Sequence, residues 1–200
     1  MQVILIRHGQ TAGNAALRYI GRTDEPLSEE GVALAKQIGA DSEVRRVYVT
    51  PLRRTQQTAA ILFPAAQQIV VDDLQEMDFG DFEGRSYTEM EHDIAYRAWV
   101  DDGCLTPCPN GESRAGFSAR VCAAFEAVVR QGAEQGEKTL TFVVHGGTIM
   151  AVMEQFARPK QEFYSYSVKN GQGYRCRVEI IDDLILTDSA LWRESIENPI

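Results

Sequence analysis

Basic charge is scarce in this chain. Its 200 residues carry 20 lysines and arginines against 29 acidic side chains, a formal net charge of −9. Such a surface repels nucleic acid over most of its area, which excludes that partner class and obliges any anionic ligand to find a local cationic pocket. Long apolar runs are missing as well. No stretch approaches the roughly 18 residues of a membrane span, and the N-terminus lacks the cationic region and apolar core of a signal peptide, so a cytoplasmic protein with no membrane partner is expected. The four cysteines, Cys104, Cys108, Cys122 and Cys176, show no CxxC spacing and are expected as reduced thiols. Cys104 and Cys108 are half of a metal set that no other pair completes, so neither a metal nor a cofactor is expected. There is no GxxxxGK[ST], no serine nucleophile elbow and no GxGxxG after a strand; Gly171-Gln172-Gly173 comes late and lacks the third glycine.

What is present is an ordinary globular composition, 44% hydrophobic and 24% charged, at a length that suits a single domain spanning 1–200. Apolar runs at Val3–Ile6, Val44–Val49, Gln68–Val71, Thr139–Val144 and Tyr174–Ile181 read as strands. Helical patterns lie between them. Ser28 is placed to cap a helix with Glu29 and Glu30 in its first turn and Leu27, Leu34, Ala35 and Ile38 as its inner stripe. Arg53–Phe63 is stopped by Pro64. Thr88–Val100 is a more polar helix, and Ser113–Gln131 repeats Phe117, Val121, Ala124, Phe125 and Val128 at helical spacing. The alternation predicts an α/β fold, a three-layer α/β/α sandwich with a mostly parallel sheet and one antiparallel edge strand. An irregular insertion at about 80–111, closed by Pro107-Cys-Pro-Asn-Gly111, reads either as a lid or specificity loop or as a surface excursion. Within it Tyr87, Met90, Tyr96 and Trp99 suit a pocket lining or a core, and His92 suits the surface.

In a parallel sheet covered by helices, ligands bind at the carboxyl ends of the strands. Arg7-His8-Gly9 follows the first strand, Thr50-Pro51-Leu52-Arg53-Arg54 the second, Asp72 to Glu76 the third and His145-Gly146-Gly147 the fourth. Two histidines, two or more arginines and a carboxylate thus converge on one edge. A guanidinium fork suits phosphate, and neutral imidazole is a nucleophile.

The eight residues Arg7 to Asn14 (RHGQTAGN) resemble the RHGxTxxN signature of the histidine phosphatase superfamily, the phosphoglycerate-mutase-like enzymes. Gly21-Arg22-Thr23-Asp24 with Pro26-Leu27-Ser28 and Gly31, Thr50 to Ala59, Glu76 to Gly84, Pro109 to Ser113 and Val144 to Gly147 are similar to its further elements, in the expected order. Thr50 and Phe82 stand where that pattern has serine and tryptophan, both expected away from the reacting groups. The resemblance implies that His8 takes the phosphoryl group, that Arg7, Arg54 and His145 clamp it, that Glu76 donates the proton, and that Asn14, Gly21 and Gly146 help to hold substrate. Arg53 is then a solvated neighbour.

The implied reaction is metal-independent hydrolysis of a small phosphorylated metabolite, α-ribazole 5′-phosphate or a broader range of monoesters, by a monomer or homodimer. A mutase must hold a second anionic group, yet 86–112 offers Arg97 against Glu89, Glu91, Asp93, Asp101, Asp102 and Glu112. The alternatives are that mutase chemistry and a catalytically silent phosphate-ligand-binding protein. Two guanidinium groups should keep His8 unprotonated. For Glu76 the same arginines oppose the protonation that a general acid needs, whereas burial and a phosphate dianion favour it.

Overall fold

The computed structural model describes residues 1–192. Six strands form one sheet: β1 (Gln2–Arg7), β2 (Arg46–Val49), β3 (Gln67–Val70), β4 (Thr139–Val144), β5 (Gly173–Ile180) and β6 (Leu184–Trp192), in the order β3-β2-β4-β1-β5-β6. The first four are parallel, with Val3 opposite Leu140 and Val49 opposite both Val70 and Val143. The expected antiparallel edge strand is in fact two strands. β5 runs antiparallel to β1 but lies inside the sheet, because β6 pairs antiparallel along its outer side. The run Leu184–Trp192 carries Thr187, Asp188 and Ser189 in its middle, which masks its strand periodicity.

The parallel strands alternate their buried side chains between two faces, as a two-residue repeat requires. Val3, Leu5, Phe142 and Val144 join the core under α5 (Arg114–Glu134) and α6 (Gly146–Phe156), while Ile6, Val47, Val49 and Val143 pack with Ala59 and Leu62 of α3 (Arg53–Leu62) on the other. α2 (Glu29–Ile38) lies beside α3 and is capped by Ser28, whose Oγ accepts the Gly31 N–H at 3.0 Å. A short α1 (Ala12–Ala15) follows the first strand. On α5 the fully buried series is Phe117, Val121, Phe125 and Val129, so the stripe continues by fours and Val128 turns partly outward. These elements form the three-layer α/β/α sandwich.

The predicted helix Thr88–Val100 starts late, as α4 (Ile94–Asp101), because Asp93 Oδ1 accepts the N–H groups of Ala95 and Tyr96 and caps there. The insertion is tied at both ends. Glu112 N–H donates to the Asp78 carbonyl and Asp81 N–H to that of Pro109, each at 2.9 Å, and Gly80, at φ +51°, abuts Pro109 so closely that a Cβ would collide with its carbonyl. Phe82, Met90, Tyr96 and Trp99 are buried in the main core. Tyr87 and His92 are exposed. No helix among the described residues is long and apolar enough to cross a membrane.

Candidate active site

The carboxyl ends of β1, β2 and β4 deliver a cradle of nitrogen atoms. His8 follows β1 and is held by its own main chain, its N–H donating to the Val144 carbonyl at 2.9 Å and its carbonyl accepting the Asn170 amide at 3.0 Å. Its Nδ1 lies 2.7 Å from the Gly9 carbonyl. A carbonyl only accepts, so Nδ1 carries the proton and Nε2 keeps its lone pair. Burial first, then the charges of Arg54 and Arg7, hold the His8 pKa well below its ordinary value of 6.5. The imidazole is therefore a free base at neutral pH, as the sequence suggested, with desolvation rather than the arginines as the larger cause.

Arg54, on the first turn of α3, is fully buried. Its Nη1 donates to the Thr23 carbonyl at 2.7 Å and its Nη2 to those of Gly21 at 2.7 Å and Ile20 at 3.4 Å. Those carbonyls belong to a loop gathered by one carboxylate: Glu83 accepts from the N–H groups of Gly21, Arg22, Thr23 and Phe79 and from the Thr23 hydroxyl. Gly21 thus has its N–H on Glu83 and its carbonyl on Arg54, so it orients the cation rather than lying open to a ligand. Arg53 is exposed, with its main chain on Asp24 at 2.7 Å.

Arg7 donates from Nη1 to the Val168 carbonyl at 2.7 Å. His145, the residue preceding α6, places Nε2 3.0 Å from Thr50 Oγ1. Thr50 Oγ1 is also bonded to the Thr55 hydroxyl at 3.0 Å, which itself donates to the Leu52 carbonyl at 2.9 Å, so the His145 ring ends a buried chain of hydroxyls. Thr50 therefore does touch a site histidine, contrary to the sequence expectation, and its hydroxyl does there what a serine hydroxyl also can. Among the described residues, the buried side-chain nitrogen or oxygen atoms without a hydrogen-bond partner are Arg7 Nε, Arg54 Nε and His145 Nδ1. All three belong to one cluster, and the two guanidinium N–H groups are donors whose burial unpaired is costly unless a ligand completes them.

Glu76 reaches the same place from the segment after β3. Its Oε1 accepts the Met77 N–H at 2.9 Å and its Oε2 the Gly147 N–H at 2.8 Å. At Gly147 a Cβ would collide with Oε1, so any side chain there would push the carboxylate from its place. Burial raises the Glu76 pKa above the usual carboxylate value and outweighs both N–H bonds and both arginines. Arg120 of α5 braces this segment, donating to the carbonyls of Asp73 at 2.8 Å and Gln75 at 3.2 Å while gripping both oxygens of Glu112.

Two chambers meet at Arg7, Asn14, Arg18 and Tyr19. The inner one, about 310 Å³, also reaches His8, Glu76, Gly146 and Gly147. The outer one, about 640 Å³, touches the cradle through Arg7 alone. Asn14 stands at the neck with Oδ1 taken by the Thr11 N–H and the Asn170 amide. Sequence reasoning placed Glu83 in the Glu76–Gly84 element without giving it a role, and missed Arg120, Val168 and Asn170. The last two lie on a turn that straps β1, and the Asn170-Gly171 pair was its one visible signal.

The sequence profile of the histidine phosphatase superfamily (branch 1) matches residues 3–182. The adenosylcobalamin/alpha-ribazole phosphatase of Salmonella typhi is 29% identical over 96% of this chain and 99% of its own. The glucosyl-3-phosphoglycerate phosphatase of Mycobacterium tuberculosis is 30% identical over 76% of this chain and 73% of its own. Among solved structures, the alpha-ribazole phosphatase from Shigella flexneri superposes with a TM-score of 0.76 at 25% identity, covering 93% of this chain and 94% of that one. This chain is an enzyme of the histidine phosphatase superfamily, branch 1.

Proposed function

We propose that the protein hydrolyses phosphate monoesters of small metabolites through a phosphohistidine on His8. The observation that carries this reading is the His8 ring, pinned through Nδ1 to the Gly9 carbonyl beside three buried, unpartnered nitrogens. The Nε2 lone pair attacks phosphorus, the ester P–O bond breaks toward the leaving oxygen, and Glu76 gives that oxygen its proton. Water then attacks phosphorus and yields a proton to the Glu76 carboxylate, while the P–N bonding pair returns to Nε2. Arg7, Arg54 and His145 stabilise the equatorial oxygens, where charge spreads in a loose transition state.

Hydrolysis is favoured over transfer between two phosphorylated positions because the further cations of the inner chamber are already neutralised. Arg18 is paired with Glu89 and Arg114 with Glu154, both at 2.9 Å. The relative that matches nearly the whole chain makes α-ribazole 5′-phosphate the first physiological ester to assay. Steady release of inorganic phosphate from p-nitrophenyl phosphate, undiminished by EDTA, is the expected result. Binding of phosphate without turnover would overturn the reading in favour of a silent binding protein.

A further inference from the structure

The cradle accounts for the phosphoryl group but leaves open what the leaving alcohol meets. It must lie beside Glu76, hence in the inner chamber, since the outer one does not reach that carboxylate. Away from the cradle this chamber is walled by Met77, Phe79, Trp99, Phe117, Phe163 and Tyr164. The polar tips of Tyr19 and Trp99 are already spoken for. Tyr19 and Tyr96 share a hydroxyl bond at 2.9 Å, and Trp99 Nε1 donates to the Thr106 carbonyl at 3.1 Å. At the neck Asn14 Oδ1 accepts from Thr11 and Asn170, and Arg18 is held by Glu89 and the Gly84 carbonyl. A leaving group rich in hydroxyls would be desolvated here with few partners, at about 1–3 kcal/mol for each group left unpaired.

One charged side chain belongs to the wall. The guanidinium of Arg114 lies 4.3 Å from the Phe163 ring centre and 5.7 Å from that of Tyr164. Its charge is held by Glu154, so it serves the chamber as a flat surface stacked on rings more than as a free cation for a carboxylate. The chamber volume is at the small end for small-molecule sites, which excludes an extended phosphopeptide.

Resting on the hydrolase reading above, we infer that the inner chamber is a leaving-group subsite selecting alcohols that carry a planar, largely apolar group, with the Arg114–Phe163–Tyr164 stack as its specificity element. Esters of polyols and of carboxylate-bearing alcohols are disfavoured by the same walls.

The test compares 2-phenylethyl phosphate with glycerol 3-phosphate on the purified full chain. Both release alkoxides of similar basicity, so ease of bond breaking does not decide the comparison. The expected kcat/KM ratio is about tenfold or more in favour of the phenylethyl ester, the scale of one or two aromatic contacts. Tyr164→Ala, at a position 57% exposed, should fold normally and reduce the ratio several-fold; Phe163→Ala should reduce it further. A wild-type ratio at or below one, or a ratio that both variants leave intact, overturns the subsite while p-nitrophenyl phosphate turnover keeps the hydrolase reading standing. No turnover of either ester or of p-nitrophenyl phosphate overturns the hydrolase reading and the subsite together.

Discussion

The cradle and the inner chamber share a boundary and differ in almost everything else. In the cradle each side chain to which we assign a catalytic role is fixed by main-chain or hydroxyl partners: His8 by Gly9, Arg54 by Gly21 and Thr23, His145 by Thr50, Glu76 by Met77 and Gly147. These groups sit at the ends of parallel strands, where the register of β1 against β4 carries His8 toward His145, their ring centres 5.2 Å apart. The chamber is built of rings from the insertion, α5 and the 163–166 turn, packed edge to face, as Tyr19 is on Phe79 and Trp99. Rigid polar groups suit a phosphoryl group that every substrate shares. Apolar walls suit the part of the substrate that differs, because contact area rather than directed bonds decides what fits.

Changes in the cradle should therefore abolish turnover of all esters alike, whereas changes in the chamber should re-rank them. The largest expected effect is that of His8→Ala, a loss of kcat of about 10⁶, the scale seen when a covalent nucleophile is deleted, with an unaltered circular dichroism spectrum. Glu76→Gln should cost about 10²–10⁴ in kcat and also change the pH profile. Glu76 is protonated in the fold above the usual carboxylate range, so wild-type activity should persist through mildly acidic pH, where His8 remains neutral, and fall on the alkaline side as Glu76 ionises. In the glutamine variant that alkaline limb should vanish, and its survival would show that another group supplies the proton.

Glu83→Gln loosens the loop that orients Arg54 while leaving the guanidinium in place. A carboxylate serving five donors is replaced by an amide that accepts at one end only. The expected result is about a tenfold fall in kcat/KM, equal for phenylethyl and glycerol esters; a change in their ratio would blur the division between the two regions. The smallest effect concerns stability. His8 has a lowered pKa in the fold, so below about 6.5 the unfolded chain binds a proton that the native chain refuses. The melting-temperature advantage of wild type over His8→Gln should shrink as pH falls from 7.5 to 5, and an advantage that grows would contradict a neutral buried imidazole.

The same division explains what could be read from the sequence. His8, Arg54, Glu76 and His145 were visible because polar residues at successive strand ends converge on one edge and the family pattern singles these four out among them. The choice of Arg54 over Arg53 followed from the family pattern, and the fold buries the one and exposes the other. The chamber was half legible: Trp99 suits a pocket lining or a core in the sequence and is in fact both, whereas Phe117 carries only the helical spacing of a core residue. Its position beside Glu76 gives Phe117 a second role that no periodicity reports. Arg120, and the supporting role of Glu83 within its family element, were hidden for a different reason: surface-type residues on a helix and a turn become supports only through contacts 44 and 62 positions away. The sheet was read correctly except at β6, whose polar centre breaks the alternation on which strand recognition depends.

The account stands most directly on rapid-quench trapping with a ³²P-labelled monoester. Label should appear within the first turnover as an acid-labile, base-stable adduct on the peptide containing His8, and be absent from His8→Ala. An active preparation that accumulates no such adduct in the wild type, or that carries it on a peptide without His8, would contradict the account.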